Sequence, residues 1–350
     1  MVPELREYGP AREDLRAEII AAQALFPEST REAYELPFPA DVSQTAWITD
    51  RACEFLDTAE GDVFAQISYI QPHNPFSPPA EYVDLVNIDA IPEPTSAEWK
   101  NAPIPYYEQP RYAEPSYEIA DWRRERALYF ADLAHLDHEL GRVREALARA
   151  SRLENCLFIF TSDHGELLHD HGLLGKWERH YDPCIRIPLV IGMPGVRPGH
   201  YRQLAEHTDI AATIYHWAGL PAPALPVWGA ADTEGMPMLH GRSLVPVATG
   251  KDEDMARSHV FIQSNNSHVE ASPRSWARTI RTTRYRYTRH LAGGGEQLFD
   301  LIEDPDEQNN LAYDERYRDI REVLLADLAE ATATDAYPNS PLHLFQVGSW

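Results

Sequence analysis

Apolar residues recur along this chain with two different periods, and their alternation sets the expected order of elements. Residues 11–26 place Leu15, Ile19, Ala22 and Phe26 at helical spacing, and 45–56 do the same with Trp47, Ile48, Ala52 and Phe55. Residues 63–70, VFAQISYI, have the length and residue types of a buried strand. That run stops at Pro72 and Pro75, which cannot continue regular structure. The stretch 72–116, rich in Pro, Tyr and acidic groups, reads as one long surface loop. A long helix is predicted over 122–149, with Tyr129, Leu133, Leu136, Leu140, Val143 and Leu147 as its apolar stripe. Residues 155–162 then form a near-continuous apolar strand of the kind buried on both faces, 187–191 a further strand, and 209–218 a helix.

Helix alternating with apolar strand predicts an α/β fold with a mostly parallel sheet flanked by helices. The pattern changes near residue 250. Residues 259–264, 279–283, 285–290 and 297–301 read as short strands joined by tight turns, and 318–328 as a closing helix. The expected organisation is therefore an α/β domain over 1–250, followed by a small antiparallel α+β subdomain and tail over 251–350.

Charge removes several function classes. Lys plus Arg total 31 against 55 Asp plus Glu, a net charge of -24, where a nucleic-acid surface would need clustered basic charge. An anionic substrate is compatible with this balance, because a metal ion and a few local cations dominate the field inside a pocket. Three scattered cysteines do not make a disulfide framework, and no apolar run approaches a membrane span. Residues 1–7 also lack the apolar core of a secretory signal, so a cytoplasmic location is expected. The oligomeric state is not readable from these features.

The candidate chemistry begins directly after the strand at 155–162. Thr161-Ser162-Asp163-His164-Gly165-Glu166 would lie beyond a strand's carboxyl end, where ligands collect in open α/β sheets. Asp163 and His164 can offer an oxygen and a nitrogen to one metal ion, and Gly165 permits a tight turn. His169, His171 and the Gly175-Lys176 step follow closely. His169 and His180 are open between pocket lining and structure. His207 and Asp209 could suggest a second metal, but they lead into a helix and are expected to be structural.

The run 155–195, NCLFIFTSDHGELLHDHGLLGKWERHYDPCIRIPLVIGMPG, resembles the second signature region of sulfatases in the alkaline phosphatase superfamily. It is also similar to related phosphonate and phosphate ester hydrolases. Further segments extend the resemblance over almost the whole chain: PHNPFSPP, YFADLAHLDHELGRVREAL, EHTDIAATIYHWAGLP, and a C-terminal hairpin with EDPDEQNNLA. It implies that Asp163 and His164 bind one divalent cation, usually calcium, and that Lys176 contacts the sulfate. It further implies that His73 donates to the leaving-group side of the ester. His171, open like His169 between pocket lining and structure, is taken as a substrate-binding candidate. The implied substrate is a small-molecule sulfate ester.

The family nucleophile is a formylglycine made from Cys or Ser in a Cys/Ser-x-Pro-x-Arg motif. No such run occurs in the 350 residues, and no paired aspartates stand upstream of His73. The expectation is thus either a segment lying outside these residues or a separately made polypeptide, one half of a split enzyme or a pseudoenzyme.

Overall fold

The computed structural model describes residues 17, 21, 33–96, 119–176, 179–221, 224–225, 236–237, 241–251, 257–264, 276–291 and 294–335. The predicted helix at 11–26 lies almost wholly outside them, as does the second half of the loop at 72–116. The chain divides into two compact units: Met1–Pro94 with Pro115–Cys156, and Thr95–Glu114 with Leu157–Trp350. Residue 250 lies inside the second unit.

The first unit is built on two packed helices, α1 (Gln44–Thr58) and α2 (Ile119–Arg149). Ser43 caps α1 by accepting from the Ala46 amide, and the Arg142 guanidinium of α2 joins Asp50 of α1. The buried stripe of α2 is Leu128, Ala131, Asp132, His135, Leu136, Glu139, Val143, Ala146 and Leu147. It therefore differs from the predicted one: Tyr129 and Leu140 are half-buried and Leu133 is exposed, because Asp132, His135 and Glu139 occupy inward positions, as Glu125 and Arg126 do further toward the start of the helix.

The strand predicted at 63–70 is not one. It carries no regular structure, over 63–68 its backbone makes no backbone hydrogen bond among the described residues, and Phe64 is 69% exposed. Without a neighbouring strand the apolar run has no ladder to join.

In the second unit, β1 (Phe158–Thr161) pairs with β2 (Leu189–Gly192) antiparallel, in the register Ile159 with Ile191. Parallel pairing is thus absent from the named strands among the described residues. β1 is half-buried rather than covered on both faces. Helix α3 (Thr208–Trp217) follows. Asp209 at its start is fully buried and accepts from the Glu206 and Arg242 amides and from both Arg257 Nη atoms. All of its capacity serves structure, as expected from the sequence.

The C-terminal strands agree with expectation to within two residues at each end. β3 (His259–Ser264), β4 (Ala277–Thr282), β5 (Tyr285–His290) and β6 (Gly295–Asp300) form an antiparallel sheet in chain order. One face presents Ile280, Tyr287 and Leu298 to Leu324 and Leu328 of α4 (Arg318–Asp335). The other face is buried as well, yet mostly polar: Thr279, Arg286, Thr288, His290 and Gln297, with Phe299. No helix among the described residues is long and apolar enough to cross a membrane.

Candidate functional site

The carboxyl end of β1 feeds directly into Ser162, Asp163 and His164. The turn is held by local bonds. Ser162 Oγ donates to the His164 carbonyl at 3.0 Å, and Asp163 Oδ1 accepts from the His164 amide at 3.0 Å. Gly165 is needed for space: a Cβ there would lie 1.9 Å from the Pro183 carbonyl oxygen, and its amide donates to Cys184 O at 2.8 Å. His207 of the second unit reaches the same turn, its Nε2 lying 2.9 Å from Ser162 O.

The His164 ring has a defined tautomer. Its Nδ1 is 2.8 Å from Gly165 O, which can only accept, so Nδ1 carries the proton. In the neutral ring Nε2 then holds the lone pair, and Lys176 Nζ donates to it at 2.7 Å. Asp163 Oδ2 is 3.5 Å from the same nitrogen, on a side chain 86% exposed. A cation, an imidazole lone pair and a carboxylate thus meet at one point.

Lys176 reaches that point because Gly175 is clamped. The Glu166 carboxylate accepts from the Gly175 amide, and the Gly175 carbonyl accepts from the Leu167 amide at 3.1 Å. Gly175 itself has φ of 75°, a conformation that favours glycine. Arg179 Nη1 closes the far side on Leu174 O at 2.6 Å.

The other candidates fall elsewhere. His171 does not line this site. Its ring is 5% exposed, stacked on Tyr181 with centroids 4.1 Å apart, and burial plus the Arg286 charge push its pKa down to about 4. Sequence proximity to Gly175-Lys176 suggested a substrate contact; the positive φ of His169 and His171 turns the chain inward instead. His180 is also structural, with Nδ1 2.8 Å from Thr279 Oγ1 and Nε2 2.6 Å from Ser264 Oγ. His73 belongs to the first unit, exposed, with Nδ1 2.7 Å from Asn74 O. Its loop is anchored by the Ser77 amide, which donates to Asp132 Oδ2 at 3.0 Å, and by backbone bonds from Tyr34 and Leu36. Asp132 was missed by sequence reasoning, and a carboxylate among the inward positions of α2 was the available signal.

The donor set fits a divalent cation in part. Asp163 and His164 can share one ion, and the Lys176 ammonium already marks their meeting point as a place for positive charge. No group of three or more His, Cys, Asp or Glu converges among the described residues, so further ligands would come from outside that set.

Comparison with known proteins agrees along the chain. A family model described as Sulfatase matches residues 20–220, and one described as N-sulphoglucosamine sulphohydrolase, C-terminal, matches 169–334. An arylsulfatase of Clostridium perfringens is 25% identical over 311 residues, covering 83% of this chain and 59% of that protein. The multifunctional alkaline phosphatase superfamily protein PehA of Trinickia caryophylli is 31% identical over 310 residues, 80% of this chain and 57% of that protein. The crystal structure of the phosphonate monoester hydrolase of Agrobacterium radiobacter superposes with a TM-score of 0.70 at 25% identity, covering 86% of this chain and 62% of that one. The chain therefore spans less than two thirds of the length of these relatives.

Proposed function

Since the chain belongs to the sulfatase family and has its alkaline phosphatase-like α/β fold, we propose that it carries the metal- and sulfate-binding part of a sulfuric ester hydrolase. The observation that carries this reading is the meeting of Lys176 Nζ, His164 Nε2 and the Asp163 carboxylate at the end of β1. In this reading Asp163 and His164 hold a single calcium ion. A divalent cation bound there would add fixed positive charge where the ester oxygens are polarised. Lys176 holds a sulfate oxygen, presenting charge that is complementary to the transition state and already oriented. His73, whose Nδ1–H is tied to Asn74 O, would serve as the proton donor to the bridging oxygen from Nε2 in its doubly protonated form. The formylglycine nucleophile of the family is not encoded by these 350 residues.

Binding is therefore the direct test. Titration of the chain with sulfate in the presence of calcium should give a saturable heat. Lys176→Ala should weaken it about 10- to 100-fold, the worth of one hydrogen bond to a charged group. Asp163→Ala should remove calcium binding. Sulfate affinity indifferent to Lys176 would sink the assignment.

The match to a phosphonate monoester hydrolase at a TM-score of 0.70 supports a second reading, a phosphonate monoester or phosphodiester hydrolase on the same scaffold. Comparing the affinities for sulfate and methylphosphonate separates the two.

A further inference from the structure

Lys176 sits on a loop whose two ends meet. His171 at one end and Tyr181 at the other stack face to face, with ring planes 19° apart and centroids 4.1 Å apart. The stack continues into the C-terminal sheet. The Arg286 guanidinium of β5 lies 4.9 Å from the Tyr181 ring and 4.7 Å from the Phe299 ring of β6, and these two rings are themselves 6.1 Å apart and tilted by 51°, so the cation packs against both in the angle they make. A guanidinium in contact with two aromatic rings is a favourable arrangement, strengthened by desolvation. Arg286 is fully buried, and its charge is met by Glu307, whose second oxygen accepts from the Asp182 amide at 2.7 Å. Arg281 of β4 pairs with the Asp182 carboxylate at 3.0 and 3.2 Å, and Gln297 Nε2 donates to Tyr181 Oη at 3.2 Å. The other end is tied by the His171 amide to Thr95 O at 2.8 Å.

The polar inner face of the C-terminal sheet thus grips the Tyr181 end of the segment that carries Lys176, and the His171 end through the ring stack. We propose that Tyr181 and Arg286 are positioning residues for Lys176, so that the anion-binding geometry is set from the C-terminal sheet. The inference rests on the reading of Lys176 as the sulfate contact. A loop anchored this way holds Lys176 near its working place in advance, which lowers the ordering cost when the anion arrives.

Tyr181→Leu removes the aromatic layer at similar bulk, Tyr181→Phe keeps the layer and loses only the Gln297 bond, and Arg281→Gln loosens Asp182 at a half-buried site. Amide hydrogen exchange and sulfate titration, both on the full chain, give two independent readouts. In Tyr181→Leu, amides 173–180 should exchange roughly tenfold faster or more while those of Ile280 and Leu298 keep their protection. Sulfate affinity should fall roughly tenfold, since small misplacements of a charged contact are costly. Tyr181→Phe should stay near wild type, and Arg281→Gln should show the same pattern more weakly, which serves if Tyr181→Leu does not fold. Unchanged protection of 173–180 would overturn the proposal, and so would a uniform loss across loop and sheet, which marks a merely structural role. If the wild-type chain binds no sulfate, the sulfate reading falls by itself, and the exchange pattern still decides whether the stack positions the loop.

Discussion

Residues 63–70 of the first unit and strand β5 of the second both read as strands in the sequence, and they differ in what surrounds them. The first is apolar at six of its eight positions, yet 63–68 bond to no backbone among the described residues and Phe64 and Ile70 stand in solvent. The second, Tyr285-Arg286-Tyr287-Thr288-Arg289-His290, is mostly polar, yet it is laddered on both sides and four of its six residues are buried. Apolar character makes a segment suited to burial; only neighbouring strands and a covering layer bury it. β5 has both, with α4 on one face and the Tyr181 loop on the other.

The largest test of this contrast is acid. His171, His180 and His290 are buried neutral against the polar face, their pKa values pushed down to about 4, about 3 and about 4, by burial first and next by Arg286 for His171 and His290 and by His290 for His180. A histidine whose folded pKa lies below its unfolded value contributes stability above about pH 6.5, and loses it as pH falls toward the folded value. Three such groups give a slope of at most about 4 kcal/mol per pH unit between about pH 6 and 4. Amides of β4 to β6 should therefore lose protection over that window by several kcal/mol, read by hydrogen exchange. A flat profile would mean that these rings are solvated.

Truncation gives the next largest effect. Ile280→Ala removes a fully buried side chain from the α4 face and should destabilise the sheet by about 2–5 kcal/mol, whereas Phe64→Ala should stay within about 0.5 kcal/mol. Urea unfolding of the two variants checks both. A large loss in Phe64→Ala would show that 63–70 is buried in solution and would erase the contrast.

The same contrast explains what could be read in advance. β3 to β6 were legible because turn residues bracket short β-branched and aromatic runs, which pair with their sequence neighbours. The meeting of Asp163, His164 and Lys176 could be anticipated because one short motif carries all three. The run at 63–70 was misread because a strand depends on partners that its own residues do not specify. The stripe of α2 was misplaced because Asp132, His135 and Glu139 face inward where apolar residues were expected. His171 was misassigned because chain proximity to Lys176 says nothing about which way a ring turns. The Tyr181–Arg286 stack joins residues more than a hundred positions apart, and only the alternation of polar residues in β5 hinted that its second face is buried.

Asp132 offers the most selective test, because its pH dependence runs opposite to that of the histidines. It is buried on α2 and accepts from the Ser77 amide, and burial raises its pKa to about 8 in spite of that bond. A carboxyl whose folded pKa exceeds its unfolded value near 3.9 keeps its full contribution at low pH and loses it as pH rises toward the folded value. The first unit should therefore weaken between about pH 4 and 8, while the second weakens between about pH 6 and 4. Asp132→Asn keeps an acceptor for the Ser77 amide and removes the charge. It should stabilise the first unit by up to about 4 kcal/mol more at pH 8 than at pH 5, three pH units at about 1.4 kcal/mol each. Exchange of the Ser77 amide, followed against pH in both proteins, reads this locally. Equal protection at both pH values in the parent chain would place the Asp132 carboxyl in contact with water and remove the opposition between the two units.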